Sequence, residues 1–390
     1  MRVFIVDIGI ISALGAGTEN NLCQLLAMRH GLNGKSSSID PDTGYYVGKV
    51  ALTDEELSDM FKVRTKLSRT SLLSLYAVNE CLNDFCSDCN LGFISGTTVG
   101  GMASSENFFR KYIPCTENPK VEDIIYHTCG SATTSIVPYL PKLNYISTIN
   151  TACSSAANAI IFGAQKIKSG QLDAVIAGGS DSLCRFTLNG FQSLMILDEN
   201  HCKPLDLNRS GLNLGEGAGY LLLMSGDFVE KHGISPLCEL KSYANTNDAF
   251  HATALSDDGN GPYLSMKQTL DKANIASAEI DYINIHGTGT INNDLAESAA
   301  ILRVFGEKYP SLSSTKAYTG HTLGASGGIE AVFSVLAIEE QKVFPNLNFT
   351  APMPTGIIPV LKPEKQKIKY VLSNSFGFGG NCSSLLFSKI

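Results

Sequence analysis

"STINTACSSAANAIIFGAQKI", residues 147–167, reads as a strand, a tight turn and a helix. Ala156, Ala159, Ile160, Gly163 and Ile167 recur at helical spacing, Lys166 and Lys168 fall in the last turn, and Gly170 follows as a stop. The turn places Cys153 where the helix begins. A helix N-terminus carries about half a positive charge and unpaired N–H groups. Both favour the thiolate, the reactive form of cysteine. The small neighbours Ala152, Ser154 and Ser155 leave room for a substrate. The same place also suits a buried small hydrophobe, and the elbow alone leaves both readings standing.

A second stretch repeats the arrangement. In "HTLGASGGIEAVFSVLAIEE" (321–340), a small-residue turn opens a helix whose apolar stripe is Ile329, Val332, Phe333, Leu336 and Ala337, and His321 stands at its start. Short apolar runs that end in glycine occur at 2–10, 91–101, 173–180, 217–224, 281–290 and 369–380, with helical stretches between them. That alternation argues an α/β fold with largely buried sheets. It divides into two similar halves, 1–235 and 236–390, joined where "KHGISPLCELKSY" leads into a new strand.

The bulk composition narrows the function. The chain has 390 residues, 44% hydrophobic and 17% charged, and a net charge of −7. It needs no disulfide or metal to hold its core, and it carries no basic excess to suggest nucleic acid. Eleven cysteines without framework spacing predict reduced thiols in the cytoplasm. Cys81, Cys86 and Cys89 in "CLNDFCSDC" contain a CxxC, but no second CxxC and no HxxxH completes a zinc site, so core and loop cysteines are expected. No apolar run is long enough to span a membrane. The N-terminal stretch holds Asp7 and reads as a first strand rather than a signal peptide.

Two of the seven histidines sit in glycine-rich turns, His286 in "NIHGTGT" and His321 in "TGHTLGASGG". With Cys153 they could form a metal site or a nucleophile with two proton donors. Their separation shows no metal-ligand spacing, which favours the second reading. Lys316 and Glu297 are candidates to set histidine protonation, or equally for a surface salt bridge. "NSFGFGGNCSS" (374–384) is a glycine-dense turn between two strands that could present N–H donors to an oxyanion or be an ordinary hairpin.

The ordered set "NTACSS", "GEGAG", "HGTGT…ND…E", "K…TGHTLGASG" and "NSFGFGG" resembles the elongating β-ketoacyl-[acyl-carrier-protein] synthases of the thiolase superfamily, and the likeness runs from "GIISALG" to the last strand. The resemblance implies a five-layered αβαβα fold of two duplicated halves and a homodimer. It implies Cys153 as acyl-accepting nucleophile, His286 and His321 as its partners, and Lys316 and Glu297 as supporting ionic residues. Thr288 and Thr290 would meet the pantetheine arm. Phe378 would gate the pocket, Phe191 and Gly379 would contact substrate, and the N–H groups of Cys153 and Phe378 would form the oxyanion hole. The implied reaction is decarboxylative condensation of malonyl-carrier protein with an acyl chain on Cys153, without metal or redox cofactor. The implied partner is an acyl-carrier protein.

Departures point to a divergent member: a somewhat short chain, Asp7 where glycine is usual, and Cys382 where the family has asparagine. A thiolase would carry its second cysteine before the last glycines, whereas Cys382 follows them. An initiating synthase would lack the histidine of "GHTLGASG". A non-catalytic chain-length partner would lack Cys153. An acidic carrier protein needs a basic patch; Lys62, Arg64, Lys66 and Arg69, with Arg110 and Lys111, are the candidates. The segment after Gly101 (Met102, Ala103, Ser104, Ser105) resembles the one lining the far end of the acyl tunnel, and its mostly small side chains predict room for medium or long chains.

Overall fold

A computed structural model describes residues 1–82, 89–114, 118, 120–121 and 124–390. Its main sheet holds eleven strands, one of them only the pair Gly15–Ala16 against the first strand. The other ten are β1 Val3–Ser12, β2 Leu91–Gly96, β3 Tyr145–Ile149, β4 Ala174–Asp181, β5 Gly217–Ser225, β6 Cys238–Asn247, β7 Tyr282–Asn284, β8 Ser311–Ser313, β9 Tyr370–Gly377 and β10 Asn381–Ser388. All six glycine-ended runs contain a strand. The short strand β8 gave no such signal.

In space the first five strands run β1-β5-β4-β2-β3 and the second five run β6-β10-β9-β7-β8. The pairings match position for position: antiparallel for β1/β5 and β5/β4, parallel for β4/β2 and β2/β3, and the same sequence in the second set. The two sets meet through a short antiparallel contact of β1 with β6, Phe4 opposite Glu239 and Ile5 opposite Cys238.

The helices that matter here are α1 Arg69–Glu80, α2 Met102–Tyr112, α3 Ser155–Lys168, α4 Arg185–Ser193, α5 Asn260–Ala273, α6 Ile291–Phe305 and α7 Ser326–Glu340. α1 covers the outer face of the first set of strands, and α5, backed by α6, covers that of the second. α3 and α7 lie side by side between the two sets and touch strands of both. This is the five-layered thiolase-like architecture. β4, β5 and β9 are buried along their whole length, as continuous apolar strands covered on both faces should be. In α7 every residue from Ser326 to Ile338 is buried, so the expected stripe is a helix buried all round.

Cys81 is buried with its thiol 3.1 Å from the Tyr220 carbonyl, and Cys89 is half-buried. Cys86 lies outside the described residues. Cys23, Cys81, Cys129, Cys153, Cys184, Cys202, Cys238 and Cys382 are free thiols.

One expectation about the basic patch fails. Lys62, Arg64 and Lys66 are exposed, but Arg69 folds inward as the first residue of α1. Its guanidinium holds both oxygens of buried Glu216, the acid of "GEGAG", with Nε–O distances of 3.0 and 2.9 Å, and reaches Asp54 at 2.6 Å. Glu216 also takes the N–H groups of Val50 and Leu183. Removing Arg69 would strand a buried carboxylate. Arg69→Ala is therefore expected to cost about 3–5 kcal/mol in urea unfolding, whereas Arg64→Ala, at an exposed position, should stay within about 0.5 kcal/mol.

Candidate active site

The elbow between β3 and α3 is strained. Ala152 is held at φ +54°, a region L-residues avoid, and Thr151 N–H closes the turn on Ser155 Oγ at 2.9 Å. The strain is held from across the fold. Asn381, at the start of β10, accepts from Ser154 Oγ at 2.7 Å and from Asn158 and Asn245 Nδ2 at 2.8 Å each. Gly377 lets the last loop press on the elbow, since a Cβ there would stand 2.7 Å from Thr151 O.

This packing buries Cys153, two residues ahead of α3. Burial pushes its thiol up to about 12, outweighing the pull of Lys316 and of the Phe378 and Cys153 N–H groups, while Asp181 pushes it further up. The thiolate expected from the helix N-terminus is therefore not the resting form: desolvation outweighs the helix end. Those two N–H groups favour negative charge at the sulfur, as the donors of an oxyanion hole would.

His321 Nε2 lies 3.1 Å from Cys153 Sγ. The histidine stands five residues ahead of α7 rather than at its first turn, because Leu323 at φ +52° interrupts the helix. Its backbone instead joins the Asn213–Gly215 segment, with His321 N–H on Asn213 O at 2.7 Å. Leu323 N–H donates to His321 Nδ1 at 3.3 Å, and Ser326 Oγ lies 2.9 Å from the same atom. A backbone donor on Nδ1 leaves the ring proton on Nε2.

His286 follows the same logic. Lys316 Nζ lies 3.2 Å from its Nδ1 and 2.6 Å from its carbonyl. An ammonium only donates, so Nδ1 accepts and Nε2 keeps the proton. The two imidazoles stand 5.4 Å apart, nearly perpendicular. Burial, then Lys316, holds both well below the usual histidine range, and His321 lowers His286 further. Both are neutral donors at pH 7.

Lys316 and Glu297 come to the same histidine but do not pair. The ion partner of Lys316 is Glu330, on the buried middle helix α7. Glu297, on α6, accepts the N–H groups of His286 at 2.9 Å and Gly287 at 2.8 Å, and it shapes the turn. Burial pushes its carboxyl up to about 7. Glu330 escaped the sequence reading although it is a lone charge in an otherwise apolar stretch. Fourteen residues from Lys316, it gave no spacing signal.

Two cavities meet at Cys153. The outer, about 290 Å³, is lined by His286, His321, Thr288, Thr290, Phe191 and Phe378 among others. The Thr288 and Thr290 hydroxyls are 2.9 Å apart. Behind the cysteine lies a cavity of about 180 Å³, lined by Val99, Met102, Leu323 and the stacked pair Phe191–Phe378, whose rings are 5.7 Å apart. Gly379 lines neither; at φ +81° its N–H is used on Ala252 O. Of the segment after Gly101, Met102 alone reaches the rear cavity. Ser105, its hydroxyl 3.0 Å from His127 Nδ1, and Arg110 line a separate groove on the far side of Met102. Among the described residues, no cluster of three or more His, Cys, Asp or Glu side chains could hold a metal, and no helix is long and apolar enough to cross a membrane.

Comparison with known proteins agrees with this geometry. Residues 3–227 match the Beta-ketoacyl synthase, N-terminal domain family, and residues 237–350 match the Beta-ketoacyl synthase, C-terminal domain family. The chain belongs to the β-ketoacyl synthases, and it is a condensing acyltransferase of fatty-acid or type II polyketide synthesis. It is 31% identical to 3-oxoacyl-[acyl-carrier-protein] synthase 2 of Staphylococcus aureus (strain MRSA252), over 100% of this chain and 98% of the relative. Among solved structures, the ishigamide ketosynthase/chain length factor superposes with a TM-score of 0.91 at 26% identity, covering 100% and 99% of the two chains. A ketosynthase in complex with its chain length factor from Xenorhabdus doucetiae gives 0.85 at 30% identity, covering 100% and 98%.

The neutral histidines make stability depend on pH with a known sign. Below about pH 6.5 the unfolded chain protonates the His321 site while the folded one does not, so its contribution falls with pH. Glu297, raised to about 7, acts oppositely, because the fold binds its proton first. His321→Gln isolates the histidine. Relative to the parent chain, the variant should gain up to about 1.4 kcal/mol per pH unit below 6.5, read from urea unfolding at pH 7 and 5.5. A constant difference would contradict a buried neutral His321.

Proposed function

We propose that the protein is a 3-oxoacyl-[acyl-carrier-protein] synthase that elongates a carrier-bound acyl chain by two carbons, with Cys153 as the nucleophile. The observation that carries this reading is the sulfur itself. It has His321 Nε2 at 3.1 Å, the N–H groups of Phe378 and Cys153 favouring negative charge on it, and a second neutral imidazole, 5.4 Å from the first, lining the same cavity.

On this reading Cys153 attacks the thioester carbonyl of an acyl-carrier protein, the N–H groups of Cys153 and Phe378 hold the oxyanion, and the carrier thiol leaves with a proton. Malonyl-carrier protein then enters past Thr288 and Thr290 and loses carbon dioxide. The Nε2–H groups of His286 and His321 stabilise the enolate oxygen. The enolate carbon attacks the acyl-cysteine, the carbon–sulfur bond breaks, and the thiolate of Cys153 returns. Glu297 holds the His286 turn and Lys316 holds its ring. The half 1–235 supplies the nucleophile, and the half 236–390 supplies the histidines and the gating loop. No metal or redox group takes part in these steps.

A second reading concerns the pathway. Two of the similar structures are of a ketosynthase with a chain length factor, and a third is described as a type II polyketide carrier protein bound to its ketosynthase carrying a hexaketide. These favour polyketide or aryl-polyene assembly, with such a factor as partner in place of a second copy. The non-catalytic member of such a pair is a poor match, because Cys153 and both histidines are intact and line one cavity. For the carrier protein, Lys62, Arg64, Lys66, Arg110 and Lys111, all exposed, remain as docking candidates.

Cys153→Ala is expected to abolish condensation and leave the fold intact, because the volume change is small. Mass spectrometry of the parent protein after exposure to acyl-carrier protein should find the acyl group on Cys153. An adduct elsewhere, with Cys153 free, would sink the assignment.

Chain length is expected to depend on Met102. A cavity of about 150 Å³ accepts a benzene ring, so the rear cavity holds roughly six carbons before Met102 must move. Met102→Ala should lengthen the products, and Ser105→Phe should leave chains that stop short of Met102 unchanged. An identical product distribution for Met102→Ala would show that other residues set the depth.

A further inference from the structure

We infer that Asp181 is a positioning residue for the condensation: its carboxylate clamps the turn that carries His321 to the loop behind Cys153 and so holds the imidazole in line with the sulfur. This rests on the reading of Cys153 as nucleophile and assigns a role to a buried acid that the steps above leave unused.

Asp181 ends β4 and is fully buried. Among the described residues no ion pair includes it. Its charge is met by hydrogen bonds from two separate elements. From the loop after β2 come Thr97 Oγ1 at 2.5 Å, Thr98 Oγ1 at 2.6 Å, Thr98 N–H at 3.0 Å and Val99 N–H at 3.0 Å. From the turn before α7 comes Gly324 N–H at 2.7 Å. The fit leaves no space for a side chain, since a Cβ on Gly324 would lie 2.7 Å from Asp181 Oδ2 and 2.9 Å from Thr98 N.

Gly324 sits between the two groups that fix the His321 ring, Leu323 N–H and Ser326 Oγ. Leu323 is itself in the left-handed region, a conformation that persists only where surrounding contacts impose it. The Asp181–Gly324 bond is such a contact. Thr98 and Val99, on the other side of the clamp, line the rear cavity together with Leu323. One carboxylate therefore sets the spacing of histidine, nucleophile and acyl cavity. A buried acid without a cation is costly, and burial does raise its carboxyl against the pull of these hydrogen bonds. A purely structural bridge would be made more cheaply by a neutral side chain.

The test is Asp181→Asn. The amide keeps the shape and one acceptor, but its NH₂ cannot accept from Gly324. kcat should fall on the order of 10²-fold, since small misplacements of a reacting group cost that much, with KM for the carrier-bound substrate within about twofold. The fall in kcat without a rise in KM separates positioning from a merely structural role, and a second readout of the buried carboxylate is the pH profile of Cys153 alkylation by iodoacetamide, followed by mass. The titratable groups facing Cys153 are His321, His286, Lys316 and Asp181. Loss of the negative charge among them should shift the profile to lower pH. A kcat within about twofold of the parent, a rise in KM alone, or an unmoved alkylation profile would overturn the inference. Should Asp181→Asn not fold, Thr98→Val carries the test: a kcat loss on the order of tenfold supports the clamp, and an unchanged kcat overturns it. Acylation of the parent at Cys153 checks the underlying reading separately. An acylated parent with an indifferent variant refutes only the clamp, whereas no acylation refutes the reading.

Discussion

The middle layer depends on backbone meeting backbone. A Cβ on Gly219 would stand 2.5 Å from the amide of Ile329, and one on Gly96 would stand 2.4 Å from that of Ala156. Strands β5 and β2 thus lie against α7 and α3 with no side chain between them. At this distance the helices cannot slide without clash, because packed interiors have few voids to absorb a shift. Cys153, at the head of one helix, and His321, just ahead of the other, inherit that fixed relation across 168 residues of chain.

The same burial sets the chemistry. Close packing removes water from the thiol, the imidazoles and the acids, and desolvation disfavours every charged form. It raises Cys153, Glu297 and Asp181 and lowers both histidines. The outcome is a neutral thiol facing neutral Nε2–H donors, with charge held behind them in the Lys316–Glu330 pair and on hydrogen-bonded Asp181. Such a site is arranged for charge that develops during reaction rather than for charge held at rest.

Much of this was legible in the sequence. Six glycine-ended apolar runs marked strands, and two small-residue turns marked the reactive ends of the central helices, because buried strands and helix starts leave local patterns. The thiolase-like class followed from the motif order. Other readings failed for a common reason: charge partners are chosen by space. Arg69 looked like one of a row of surface cations, yet its first-turn position on α1 points it at Glu216, 147 residues away. Lys316 looked closest in kind to Glu297, yet Glu330 faces it. Met102 and Ser105 sit three residues apart on one helix and share an outer groove, yet only Met102 also reaches the rear cavity.

By itself, the sequence determined which residues carry reactive groups and which backbone segments must be turns, strands or buried helices, because those properties depend on side-chain chemistry and local periodicity. It did not determine protonation. The helix end suggested a thiolate at Cys153, and only the depth of burial reversed that. Nor did it determine which donor faces which acceptor. Asp181 with the loop of Thr97–Val99 and Gly324, Asn381 with Ser154, and Lys316 with Glu330 are each separated along the chain and joined only by packing. Distances and dielectric surroundings are properties of the folded whole, and they decide whether a cysteine between two histidines is a core residue or a reacting one.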